Sequence, residues 1–151
     1  MSTEQSLKAR ALTYLARREY TRAELEAKLS KYSEDTAEIR SILEEFERRG
    51  WLSEERVLEQ LIQVRGRKFG KARIAHEARE KGINEDLITN ALPQMTANEL
   101  DSAYIIWNRK FGKLPADMKE RAKQIRFLLS RGFSAETCNK VLSKADEEQG
   151  I

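Results

Sequence analysis

The chain has 151 residues; 28 are basic and 25 acidic, giving a net charge of +3, and two prolines with 7% aromatics suit a helix-rich protein rather than alternating strands. One cysteine, Cys138, excludes an internal disulfide, and with His76 the only histidine there is no metal-ligand cluster. No apolar run approaches the ~20 residues of a membrane span, and the opening MSTEQSLKAR lacks the apolar stretch of a secretory signal, so a reducing, cytoplasmic setting is expected.

The elements, in chain order, fall into three copies of one unit of three helices each. The first unit covers 1–52. Its joint Arg17-Arg18-Glu19-Tyr20-Thr21 leads into a capping box, Thr21-x-x-Glu24, in which hydroxyl and carboxylate each satisfy an orphan backbone N–H. A second joint follows at Lys31-Tyr32-Ser33, with Tyr32 where glycine is expected. Ile39, Ile42, Leu43 and Phe46 then form one helical stripe, ending at Gly50.

The second unit covers 53–95. Ser53 caps a helix carrying Leu58, Leu61 and Ile62, and the joint Arg67-Lys68-Phe69-Gly70-Lys71 follows. The next helix, Lys71 to Lys81, has an apolar face of only Ile74, Ala75 and Ala78. After Gly82, Asn84 caps a helix carrying Leu87, Ile88, Ala91 and Leu92.

The third unit covers 96–151. A second capping-box pattern, Thr96-x-x-Glu99, precedes Leu100, Tyr104, Trp107 and Phe111. The RKFGK joint then recurs letter for letter at Arg109-Lys110-Phe111-Gly112-Lys113. An insertion containing Pro115 leads to the stripe Met118, Ala122, Ile125, Leu129. Gly132 and Ser134 introduce a last helix with Cys138, Val141, Leu142 and Ala145. A unit of roughly 45 residues cannot bury its stripe alone, so the units must pack on their neighbours. The expected architecture is all-α: nine helices, three tandem three-helix repeats, in an elongated, curved rod. No long heptad seam is left over, and a monomer is expected.

RKFGK has two readings. As a helix stop, Arg and Lys sit at the negative end of the dipole, Phe packs back, and Gly takes the left-handed cap position. As a binding surface, it explains the surroundings. Gln60 to His76 holds no acid but carries Arg65, Arg67, Lys68, Lys71 and Arg73. Ser102 to Ala116 holds none, with Arg109, Lys110 and Lys113, and Arg121 to Ala135 holds none, with Arg121, Lys123, Arg126 and Arg131. Residues 1–52, by contrast, carry ten basic and ten acidic residues, interleaved. A positive field concentrated at equivalent joints is the footprint of an extended anionic partner. The candidate contacts are Arg65, Arg67, Lys68, Lys71, Arg73, Arg109, Lys110, Lys113, Arg126 and Arg131.

Trp51, Trp107, Phe69 and Phe111 could stack bases, but their helical spacing favours the core. Adjacent pairs such as Glu44-Glu45 point apart and make no acid/base pair. With no glycine-rich phosphate loop and no nucleophile beside a base, no enzyme and no cofactor are expected.

The run ERRGWLSEERVLEQLIQVRGRKFGKARIAHEAREKGINEDLITNAL, residues 47–92, resembles the regulatory protein RecX family. The pattern R-x-x-x-x-G-x-x-R-I-x-x-E-x-x-x-K-G-I is met at Arg65, Gly70, Arg73, Ile74, Glu77, Lys81, Gly82 and Ile83. ALTYLARREYTRAELEAKL, residues 11–29, is similar to the family's opening unit. The resemblance implies a modulator of the RecA recombinase. Such a protein binds the RecA filament on single-stranded DNA, along its helical groove, and inhibits ATP hydrolysis, strand exchange and co-protease activity. The residues themselves leave two other classes open: a stand-alone nucleic-acid binder of helix-turn-helix-like units, and a helical protein–protein adaptor.

Overall fold

The computed structural model describes residues 5–150 and is all-helical over them. Eight helices follow one another: α1 (Leu7–Arg17), α2 (Arg22–Leu29), α3 (Thr36–Arg48), α4 (Glu54–Arg65), α5 (Lys71–Glu80), α6 (Glu85–Lys110), α7 (Met118–Ser130) and α8 (Ala135–Gln149). Side chains start most of them as their sequences anticipate. Thr21 and Glu24 form the capping box of α2, and Ser53, Asn84 and Ser134 accept from first-turn amides of α4, α6 and α8. Gly50, Gly82 and Gly132 all have positive φ, at 74°, 80° and 89°.

Nine helices were expected and the described residues form eight. The last helix of the second unit and the first of the third are one, α6, which runs through Pro93. The boundary drawn between residues 95 and 96 therefore lies inside a helix, and Thr96 is not a cap. Proline removes one amide and leaves the Thr89 carbonyl without an intrahelical donor, but Thr89 is exposed and water can serve it. What carries the helix across is burial. Ile88, Met95, Glu99, Ala103 and Trp107 lie on one continuous line, the first two in the second unit's core and the last two in the third's. Breaking the helix would disorder both cores.

Each unit has its own core. Leu25, Leu29, Leu43 and Phe46 centre the first; Val57, Leu61, Ile74 and Ile88 the second; Trp107, Leu128, Phe133 and Val141 the third. The accessible surface of 9863 Å² exceeds the ~7,900 Å² expected of a compact monomer of 17.5 kDa, as an extended array should.

Helix α7 corrects a second expectation. Its stripe was placed on Met118, Ala122, Ile125 and Leu129, yet Met118 is 78% exposed and Leu129 is exposed too. The buried residues are Gln124 and Leu128. The indole N–H of Trp107 donates to Gln124 Oε1 at 2.8 Å, and Gln124 Nε2 donates to the Lys113 carbonyl at 3.1 Å. A polar residue thus faces the core because it completes the hydrogen bonding of a fully buried tryptophan.

The joints between units repeat. At the first, the Thr21 hydroxyl donates to the Lys81 carbonyl, and a Cβ on Gly82 would lie 2.6 Å from Ala23 Cβ. At the second, the Gly70 amide donates to the Arg131 carbonyl at 2.8 Å, and a Cβ on Gly132 would lie 2.7 Å from Arg73 Cβ. In both, the start of one unit's second helix receives the turn that ends the corresponding helix of the next. The glycine supplies both the left-handed turn and the room for its neighbour.

Candidate functional site

The two RKFGK copies do different structural work. The second behaves as a helix stop: Arg109 and Lys110 end α6, Phe111 is its C-cap, and Gly112 has φ of 68°. The first does not, which corrects the left-handed assignment of its glycine. Helix α4 ends earlier, at Arg65 with Gly66 as cap. Gly70 has φ of −81° and is the N-cap of α5, whose first residue is Lys71. Gly70 is glycine because of crowding: a Cβ there would stand 2.3 Å from the Gly132 carbonyl oxygen.

Both copies converge on Arg131. Its guanidinium lies 5.5 Å from the centre of the Phe69 ring, in the first copy, and 5.2 Å from that of Phe127. Phe127 meets Phe111, in the second copy, edge-on at 5.5 Å, and the Lys110 ammonium lies 5.4 Å from the Phe127 ring. Phe69 is also flanked by Arg65 at 4.3 Å and Arg73 at 4.1 Å. The Gly70–Gly132 joint is what brings α7's last turn here. The result is a band of cations held over half-buried aromatic rings, spanning the second and third units.

The ten candidate cations divide by their partners. Arg65 makes a two-pronged pair with Glu77, at 3.1 and 2.7 Å, and Arg73 lies 3.9 Å from the same carboxylate. The Arg65 guanidinium holds the Glu77 carboxyl below the usual carboxylate range. Lys71 donates to the Thr96 hydroxyl at 3.2 Å and stands 4.0 Å from the carboxylate of Glu99. That carboxylate is buried; its other oxygen accepts the Ser134 amide at 3.2 Å, so Lys71 and Glu99 help lock α5, α6 and α8 together. The remaining seven, Arg67, Lys68, Arg109, Lys110, Lys113, Arg126 and Arg131, have no carboxylate within 4.0 Å among the described residues. All but Arg131 are exposed. Around Phe69, three guanidiniums face one carboxylate, so even the paired part keeps a positive excess.

The aromatic expectations divide as well. Trp107 is fully buried and Phe111 half-buried against the third core. Trp51, expected in the core, is 39% exposed and lies against Phe46 with Arg49 over its ring. Phe127 escaped sequence reasoning: the stripe chosen for its helix left it off. The signal was present, since Phe127 sits four residues before Arg131, the i, i+4 spacing of facing side chains. Among the described residues no group of side chains could hold a metal ion, and no helix is long and apolar enough to cross a membrane.

Comparison with known proteins places the chain. Models of the first, second and third three-helix domains of RecX match residues 8–46, 53–92 and 97–142. The regulatory protein RecX of Leptothrix cholodnii is 47% identical over 95% of this chain and 91% of its own length. That of Chromobacterium violaceum is 42% identical over 92% and 90%. In three dimensions, the crystal structure of RecX from Lactobacillus salivarius superposes with a TM-score of 0.81 over 93% of this chain and 94% of that one. At 18% identity, that likeness speaks for the fold alone.

Proposed function

The chain belongs to the RecX family of regulatory proteins, and from that membership we propose that it binds the RecA filament assembled on single-stranded DNA and restrains it. The protein lies in the filament's helical groove and inhibits ATP hydrolysis, strand exchange and co-protease activity. It acts as a monomer, in the cytoplasm, without chemistry of its own. Its repeats divide at residues 52/53 and 95/96, the second division falling within α6.

The observation that carries this reading is the convergence of both RKFGK joints on Arg131. A groove holding protein and a phosphate backbone presents alternating surface chemistry, and the band offers unpaired cations beside aromatic faces. Unpaired cations are the ones able to release counterions from phosphate.

Electron micrographs of RecA filaments on single-stranded DNA, with the protein added, test it. Added density following the groove supports the reading. Filaments free of bound protein at low salt would overturn it. Salt dependence separates the adaptor alternative: about four phosphate contacts give a log–log slope near −3, and an adaptor interface with few charges gives almost none.

A further inference from the structure

The first unit looks electrically featureless in sequence, but the fold sorts its charges. Lys8, Arg18, Arg22 and Arg49 are paired, with Glu45, Glu24, Glu47 and Glu45. Glu19 is taken by Arg56 of the second unit. Asp35 accepts the Glu38 amide at the start of α3. Six cations of this unit, Arg10, Arg17, Lys28, Lys31, Arg40 and Arg48, have no carboxylate within 4.0 Å among the described residues. Three of them, Arg10, Lys28 and Lys31, gather round two tyrosines. The Arg10 guanidinium lies 4.0 Å from the centre of the Tyr32 ring, and the Lys28 ammonium 5.9 Å from that of Tyr14.

The patch is held in place from below. Tyr14 meets the buried Tyr20 ring edge-on at 5.8 Å, and the Tyr14 and Tyr32 hydroxyls are near enough to shift each other's titration. The neighbouring Tyr14 hydroxyl, with the charges of Arg10, Lys31 and Lys28, lowers the pKa of the Tyr32 hydroxyl, so all three cations act on one spot. Tyr32 itself is 51% exposed.

Its position in the repeat sets this surface apart from the later turns. Tyr32 occupies the turn that in the later units is Gly82 and Gly132, where the preceding unit docks. Tyr32 lacks the positive φ of the docking turns, and its ring stays exposed. The docking surface has become a ring and three cations.

We propose that Arg10, Tyr14, Lys28, Lys31 and Tyr32 form a second contact for single-stranded nucleic acid, independent of the joints of units two and three. The cations take the phosphates and a base stacks on the open face of Tyr32. An acidic peptide would use the cations and leave the exposed ring without a partner. A duplex would offer no unstacked base.

The test uses the full chain and a labelled oligothymidylate without any RecA, so its failure and that of the filament reading are separate events. In the parent protein, photocrosslinking to an oligonucleotide carrying 5-iodouracil should modify Tyr32; crosslinks confined to other residues would overturn the proposal. The variant R10Q/K28Q/K31Q should bind about tenfold more weakly at low salt, with a log–log salt slope shallower by about 2, since each single-strand phosphate contact contributes about 0.7. Tyr32→Ser should weaken binding with the slope unchanged. Parent-like affinity in both variants would overturn the patch, as would displacement of the oligonucleotide by polyglutamate at equal charge concentration. The crosslink on the parent chain decides the matter should a variant fail to fold.

Discussion

Gly70→Ala changes no charge, yet it should damage binding by parting the units. The added Cβ would lie 2.3 Å from the Gly132 carbonyl oxygen and 2.5 Å from both the Gly132 carbonyl carbon and the Phe133 nitrogen. All three are backbone atoms, so no side chain can swing aside; the joint has to open by about an ångström. Small-to-large strain of this kind costs about 1–3 kcal/mol. Opening also loses the 2.8 Å bond from the Gly70 amide to the Arg131 carbonyl, worth about 0.5–1.5 kcal/mol. Against this, alanine restricts the unfolded chain and returns about 0.4–1 kcal/mol. The net loss is about 0.5–4 kcal/mol, concentrated at one junction, and each kcal/mol lowers Tm by about 2–4 °C in a chain of this size. Amide exchange read residue by residue is the assay: protection at Gly70 should fall while that at Leu43, in the first unit's core, stays. Gly112→Ala is the control, because it strains a left-handed turn inside the third unit without entering the junction. A Gly70→Ala protein with the parent's melting temperature and a protected amide at position 70 would refute the junction as described.

Other consequences are more local. Trp107→Ala should destabilise the protein by about 3–5 kcal/mol in chemical denaturation, since it empties a fully buried site and strands Gln124. Glu77→Gln should cost under about 1 kcal/mol, because the pair with Arg65 is partly solvated, while releasing Arg65 and Arg73 and tightening filament binding at low salt. Burial and the nearby Glu99 carboxylate push the Cys138 thiol up to about 11. Its neutral form is the one the fold favours, so its contribution to stability is complete below pH ~9 and is lost as pH rises toward 11, and a thiol reagent at pH 8 should label it only on unfolding.

What could be read from the sequence was what local chemistry decides. Ser53, Asn84 and Ser134 cap helices wherever they precede an apolar period, and Gly82 and Gly132 turn left-handed because a helix must end there. The misreadings share a cause: a distant partner outweighed a local signal. Pro93 and Thr96 look like a boundary, but Met95 and Ala103 are buried in successive cores and hold the helix together. Met118 and Leu129 continue a stripe, but Trp107 needs Gln124, and the helix turns to provide it. The two RKFGK copies are identical in letters and opposite in role, since one glycine meets Gly132 across a junction and the other only closes its own helix. The basic runs were legible, whereas the division into paired and unpaired cations was not. Glu77 lies outside the acid-free run that holds Arg65, and only the fold returns it to that arginine.

The most direct test of the account is the steady-state rate of RecA ATP hydrolysis on single-stranded DNA, titrated with the parent protein and with R67Q/K68Q/R109Q/K110Q. All four positions are exposed, and glutamine keeps helix propensity close to that of lysine and arginine, so the variant should stay folded. The parent should slow hydrolysis. The variant should require at least about tenfold more protein in low salt, with a salt slope shallower by about 3, for four lost phosphate contacts. A folded variant that inhibits as well as its parent would contradict the account, leaving RKFGK a structural joint and the filament contact on another face.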